Sequence, residues 1–138
     1  ADYHGKQMFM PSTEGGKFSI IDWQYPYVAE GPWDFARLLG TCLPYPDWVR
    51  HGDRLIDAYH DGLIASGVTG YSRDDVLDGI RMGLIFSSMI SCIGTASTDT
   101  AILAKECDEI GLDWKDVWFA RHNQMMIDLD VERFVRCI

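Results

Sequence analysis

The strongest constraint on this chain is where its turn-forming residues fall. Pro11-Ser12-Thr13-Glu14-Gly15-Gly16 is turn chemistry throughout, and it separates two short apolar runs, Gln7–Met10 and Lys17–Asp22. Two such runs around a Gly-Gly turn predict a β-hairpin. Residues 1–7 lack periodicity and read as loop, and Gln24–Gly31, with Pro26 and Gly31, reads as a second loop.

Everything after that loop carries helical spacing. Pro32 opens a helix over Pro32–Leu39, with Asp34 in its first turn, where a carboxylate suits the free N–H groups, and Gly40 as its stop. Leu55, Ile56, Tyr59, Leu63 and Ile64 predict an amphipathic helix over Trp48–Ser66, ended by Gly67. Ser72-Arg73-Asp74-Asp75 is a capping-box variant that starts a long helix carrying Val76, Leu77, Ile80, Leu84 and Ile85 and running to about Ala96. Thr100–Ile110 forms a shorter helix stopped by Gly111. Asp113 caps a last one with Trp114, Val117, Trp118, Met125 and Ile127 inward. The predicted class is α+β, mostly α: one domain over residues 1–138, a front hairpin and about five helices.

Composition limits the function classes. A hydrophobic fraction of 47%, with six Phe, six Tyr and five Trp, indicates a folded globule. The net charge of −9 argues against a nucleic-acid partner, whose phosphates require Lys and Arg. Cys42, Cys92, Cys107 and Cys137 form no C-x-x-C pair and read as buried or free thiols of a cytoplasmic protein. The most apolar run, Leu84–Ala96, is shorter than a bilayer span, which predicts a buried helix and no membrane partner.

The candidate chemistry lies in the first two dozen residues. Phosphoryl transfer needs a carboxylate near the attacking hydroxyl and oxygen ligands that hold Mg²⁺ against the phosphates. Kinase catalytic loops supply these as D-x-x-x-x-N, with a second Asp after a hairpin. Asp2-Tyr3-His4-Gly5-Lys6-Gln7 has that spacing with Gln for Asn, and Asp22 leaves an apolar strand where the second metal ligand belongs. Taken singly, Asp2 reads as a solvated terminal residue and Asp22 as a turn former; the order and spacing of the set carry the functional reading.

The chain here resembles the aminoglycoside phosphotransferase and choline kinase-like superfamily, most closely its ecdysteroid-kinase-like (CHK kinase-like) branch. Those proteins carry H-G-D-x-H-x-x-N, a hairpin, I-D-[WF]-[QE], then G-x-x-x-D-[LF]-A-x-[LI]-L. Asp2 to Gln7, Ile21-Asp22-Trp23-Gln24 and Gly31-Pro32-Trp33-Asp34-Phe35-Ala36-Arg37-Leu38-Leu39 answer in the same order. The phrase Ala58-Tyr59 to Leu63, with Gly67 and Tyr71-Ser72 after it, is similar to a later helix of the family, and the resemblance fades beyond about Ile85.

The resemblance implies the C-terminal lobe of a protein-kinase-like fold, with ATP as co-substrate, Mg²⁺ as cofactor and a small-molecule alcohol as acceptor. Asp2 would be the catalytic base, Gln7 and Asp22 the metal ligands, and His4 and Asp34 structural supports of the catalytic loop. The acceptor-binding residues are unknown. The glycine-rich turn and phosphate-pairing Lys of such kinases have no counterpart here. The expectation is therefore a catalytic-lobe fragment whose nucleotide-covering lobe precedes Asp2, inactive alone. A non-catalytic pseudokinase-like domain and a helical interaction module are the alternatives. His51-Gly52-Asp53 spells the family's H-G-D but lacks the following amide and hairpin, and is read as a helix face. Asp57, His60 and Asp61 are likewise read as a polar face rather than converging metal ligands, and Arg121 and His122 as surface or helix-packing residues rather than the lining of an acceptor pocket.

Overall fold

The computed structural model describes residues 4–23 and 28–137. Among them the chain is mostly helical, with one two-stranded antiparallel hairpin followed by six α-helices. Strand β1 (Met8–Phe9) pairs with β2 (Ser19–Ile20), Met8 opposite Ile20 and Phe9 opposite Ser19. The hairpin lies where the apolar runs place it, but its strands are only two residues long. Gln7 falls outside the strand. Its backbone N–H donates to His4 O at 3.0 Å, and this i→i+3 bond draws Gly5–Gln7 into a 3₁₀ turn.

Helix α1 (Gly31–Cys42) carries its proline and Asp34 in the first turn but runs through Gly40, the predicted stop. Gly40 has a packing role. The His122 ring lies so close that a Cβ at position 40 would sit 2.5 Å from it. Helix α2 (Tyr45–Ala65) starts at Tyr45 rather than Trp48, because Pro46 is tolerated in a first turn, where its missing N–H is no loss. It ends before Gly67, whose φ of +90° suits glycine.

Helix α3 (Arg73–Ser97) begins with the capping box read from the sequence. Ser72 Oγ accepts from the Asp75 N–H at 3.1 Å, and Asp75 Oδ2 accepts from the Ser72 N–H at 2.6 Å. Helix α4 (Thr100–Asp108) follows, capped by Asp99. The predicted last helix is interrupted twice. Its start passes through a π-helical turn, Asp116–Ala120, into α5 (Arg121–Asp128). Asp130, at φ +51°, then separates α5 from α6 (Val131–Cys137). The wider π-turn shifts the helical phase relative to an unbroken helix. Met125 is buried as expected, but Ile127, two residues on and so on nearly the opposite face of the same helix, is exposed.

The core forms where α1 crosses α3, with α2 and α5 closing it. Ala36, Leu39, Trp48, Ile56, Val76, Ile80, Leu84 and Met125 form one buried cluster. Val76, Ile80 and Leu84 recur every fourth residue and so face one side of α3. The crossing is close because its residues are small. Cβ atoms built at Gly79 and Gly83 would lie 2.9 Å from Pro32 Cβ and 2.7 Å from Ala36 Cβ. Polar ties lock the periphery: Trp48 Nε1 donates to Asp128 Oδ2 at 2.9 Å, and Arg81 Nε to Leu129 O at 2.9 Å.

The run Leu84–Ala96 is part of this longer α3, which by length and composition alone could cross a bilayer. It is buried on one face rather than all round. Met89 and Ile93 on its other side are exposed, as is Ile64 of α2, which the spacing placed inward.

Candidate functional site

Asp2 and Gln24, the first acid of the predicted site and the last residue of the I-D-W-Q phrase, lie outside the described residues. The two predicted metal ligands, Gln7 and Asp22, meet. The 3₁₀ turn carries Gln7 to the base of the hairpin, and the Ile21 N–H donates to Gln7 O at 3.0 Å, which sets Asp22 beside it. Gln7 Nε2 donates to Asp22 Oδ2 at 3.1 Å, across fifteen residues of chain. Gln7 is buried and Asp22 exposed, so the pair is open from the Asp22 side.

Asp22 has φ +69°, in the left-handed region where an L-residue other than Asn or Asp is rarely found. An amide carbonyl and a carboxylate are the hard oxygen donors that Mg²⁺ accepts, so the donor set fits that ion. The amide is turned the other way: its NH₂ faces Asp22 while Oε1 accepts from the His4 N–H at 3.4 Å. Joint ligation with Asp22 requires the amide to rotate and give up that contact.

His4 is half-buried at the start of the 3₁₀ turn, and its backbone forms both bonds to Gln7 just described. The turn is also tied to α1, because the Gly5 N–H donates to Cys42 Sγ at 2.9 Å. Asp34 sits half-buried in the first turn of α1, close enough to the Tyr59 ring to help burial push that phenol's pKa up. Of the two predicted supports, His4 is bonded to Gln7, and Asp34 lies at the start of α1 beside Tyr59.

The helical bundle behind the loop holds a polar cluster that the sequence reading placed at the surface or in packing. His122 is fully buried, and its Nε2 lies 2.7 Å from Ser87 Oγ. Arg37 Nη1 donates to the same hydroxyl at 3.2 Å. Burial, then the charges of Arg37 and Arg121, push the His122 pKa down to about 4. The imidazole is thus neutral near pH 7. Nδ1, on the other side of the ring, is buried with no hydrogen-bond partner among the described residues. Arg121 is buried too, and its Nε donates to Asp116 Oδ2 at 2.7 Å. The available signal was His122 at i−3 from the inward Met125, which puts both on one helix face.

The competing motifs are occupied elsewhere. His51-Gly52-Asp53 lies inside α2, where Gly52 packs on the Trp48 ring and Asp53 pairs with Arg73 at 3.1 Å. Asp57 also pairs with Arg73, at 2.6 Å, and His60 Nε2 lies 3.0 Å from Tyr71 O, so these do not converge on one point. Trp114 and Trp118 are only half-buried, and Trp118 packs against Gly94. Comparison of the chain with protein-family models, with curated proteins and with solved structures gives no match.

Proposed function

We propose that this chain is the catalytic C-terminal lobe of an ATP- and Mg²⁺-dependent phosphotransferase that phosphorylates a hydroxyl of a small molecule. The observation that carries the reading is the meeting of Gln7 with Asp22, the latter in a left-handed backbone conformation. In this reading Gln7 Oε1 and the Asp22 carboxylate hold the metal, and Asp2 orients and deprotonates the acceptor hydroxyl. Bound Mg²⁺ would neutralise charge on the nucleotide phosphates. The burial of Gln7, its backbone bond to Ile21 and the Gly5–Cys42 tie keep the loop in place, which favours transfer by positioning.

A nucleotide-covering lobe of the same protein is part of the proposal. The front of the molecule supports it: Phe9, Met10, Phe18, Ile21 and Trp23 are all exposed on or beside the hairpin. Apolar side chains concentrated in this way mark a covered surface. ATP binding by this chain alone is expected to be weak or absent.

The second reading, a non-catalytic pseudokinase-like domain, is favoured by Gln at position 7 and by its NH₂ rather than its carbonyl facing Asp22. ATP turnover decides between the two. The protein encoded by the complete reading frame is assayed with a panel of hydroxylated small molecules. The enzyme reading expects turnover that Asp2→Ala and Asp22→Ala each abolish; full activity in both variants rules out the site.

A further inference from the structure

We propose that a cleft beside the His4–Lys6 turn binds a small anion with a short apolar body. The cleft has a volume of ≈ 330 Å³ and is bounded by that turn, the end of α1, α3, α4 and the π-turn. This is within the range of small-molecule sites. One wall is apolar, built from Leu103, Leu112, Val117 and Trp118.

The polar lining reverses the charge of the protein. The chain has 21 acidic and 12 basic residues. Yet among the described residues lining the cleft, Lys6, Arg37 and Arg121 face a single acid, Glu106. Lys6 and Glu106 pair at 3.2 Å with both side chains more than half exposed. Such a solvated pair is weak, so the ammonium can turn toward a ligand. Arg121 is 3% exposed; its Nε bonds Asp116 and its Nη1 makes a long 3.4 Å contact with Thr41 O. A guanidinium has further donors in its fork to offer.

The second observation is independent of charge. Ser91 lines the same cleft at 1% exposure, and its Oγ has no hydrogen-bond partner. A buried hydroxyl without a partner is costly, and one lining a cavity is a natural contact for a polar head group. A carboxylate or phosphate monoester seated between Ser91 and Arg121 would satisfy it, with its apolar body against Trp118. A cation would meet Arg121, and a neutral alcohol would bring no negative charge to the donors of the guanidinium that Asp116 leaves open. The proposal stands apart from phosphoryl transfer, and its failure would say nothing about Asp22.

The test is titration of the protein with hexanoate, hexyl phosphate, hexan-1-ol and hexylamine, followed by calorimetry and by backbone amide shifts. At least one anion is expected to bind roughly tenfold or more tightly than the alcohol or the amine. The ranking of the two anions identifies the head group. Ser91→Ala should weaken anion binding severalfold, and Leu112→Trp, which fills the cleft, should abolish it, both with unchanged far-ultraviolet circular dichroism. Hexylamine or hexan-1-ol binding as tightly as both anions overturns the proposal. So does the absence of binding by either anion up to its solubility, or anion binding that neither folded variant alters.

Discussion

Gln7 Nε2 donates to Asp22 Oδ2 at 3.1 Å, joining the end of a 3₁₀ turn to the residue that leaves the second strand of the hairpin. This bond couples a buried amide to an exposed carboxylate whose backbone is left-handed. Asp22 thus has a conformational role separable from its charge.

Substitutions at position 22 should divide along that line. Asn tolerates the left-handed region, so Asp22→Asn is expected to keep stability within about 0.5 kcal/mol of the parent. A β-branched residue does not, and Asp22→Val should cost about 1–2 kcal/mol. Urea denaturation of the two variants measures the difference. Equal losses would mean that neither the left-handed backbone nor the acceptor that position 22 offers to Gln7 contributes to stability.

The buried imidazole predicts a pH dependence. His122 titrates near 4 in the folded protein against 6.5 in the unfolded chain. The unfolded state therefore takes up a proton first as pH falls. The contribution is intact above about pH 6.5 and is lost as pH drops toward 4, reaching about 3 kcal/mol in total. Carboxylates titrate in part of this window, so the measurement is a difference. Stability from pH 7 to 4.5 should fall more steeply in the parent than in His122→Gln. The groups facing the ring are Arg37 from α1, Ser87 from α3 and neighbouring Arg121.

Glycines at two positions should respond in opposite directions. A Cβ at Gly83 would sit 2.7 Å from both Ala36 Cβ and Trp33 Cα, atoms fixed by the helix backbone. Gly83→Ala is expected to destabilise by about 1–3 kcal/mol despite the better helix propensity of alanine. Gly62, exposed within α2, has nothing within 4 Å of its Cβ position. Gly62→Ala should stabilise by up to about 1 kcal/mol. Thermal unfolding of the pair separates close packing from intrinsic propensity.

These cases also show which parts of the molecule could be read from the chain. The Ser72 capping box was legible because its partners lie three residues apart and obey a local rule. The front hairpin was legible from its turn residues, although pairing limited to Met8–Phe9 and Ser19–Ile20 was not. Gly40 misled because its role depends on a ring more than eighty positions later, which no local rule sees. The π-turn and the left-handed Asp130 were missed for a related reason: tertiary packing, not propensity, sets them. In the candidate site, the Gln7–Asp22 meeting was legible through spacing around the hairpin. The Arg37–Ser87–His122 cluster was not, because three helices must pack before those side chains touch.

The central claim is that Gln7 and Asp22 together hold a divalent ion, and paramagnetic relaxation by Mn²⁺, a substitute for Mg²⁺, tests it directly. With trace Mn²⁺ added to the isotope-labelled protein, the account predicts that the Gln7 side-chain amide and the Asp22 resonances broaden first. Asp22→Asn should remove that broadening while leaving the spectrum otherwise folded. Broadening confined to the acidic surface around Asp53, Asp57 and Asp74, with the Gln7 amide untouched, would contradict the account.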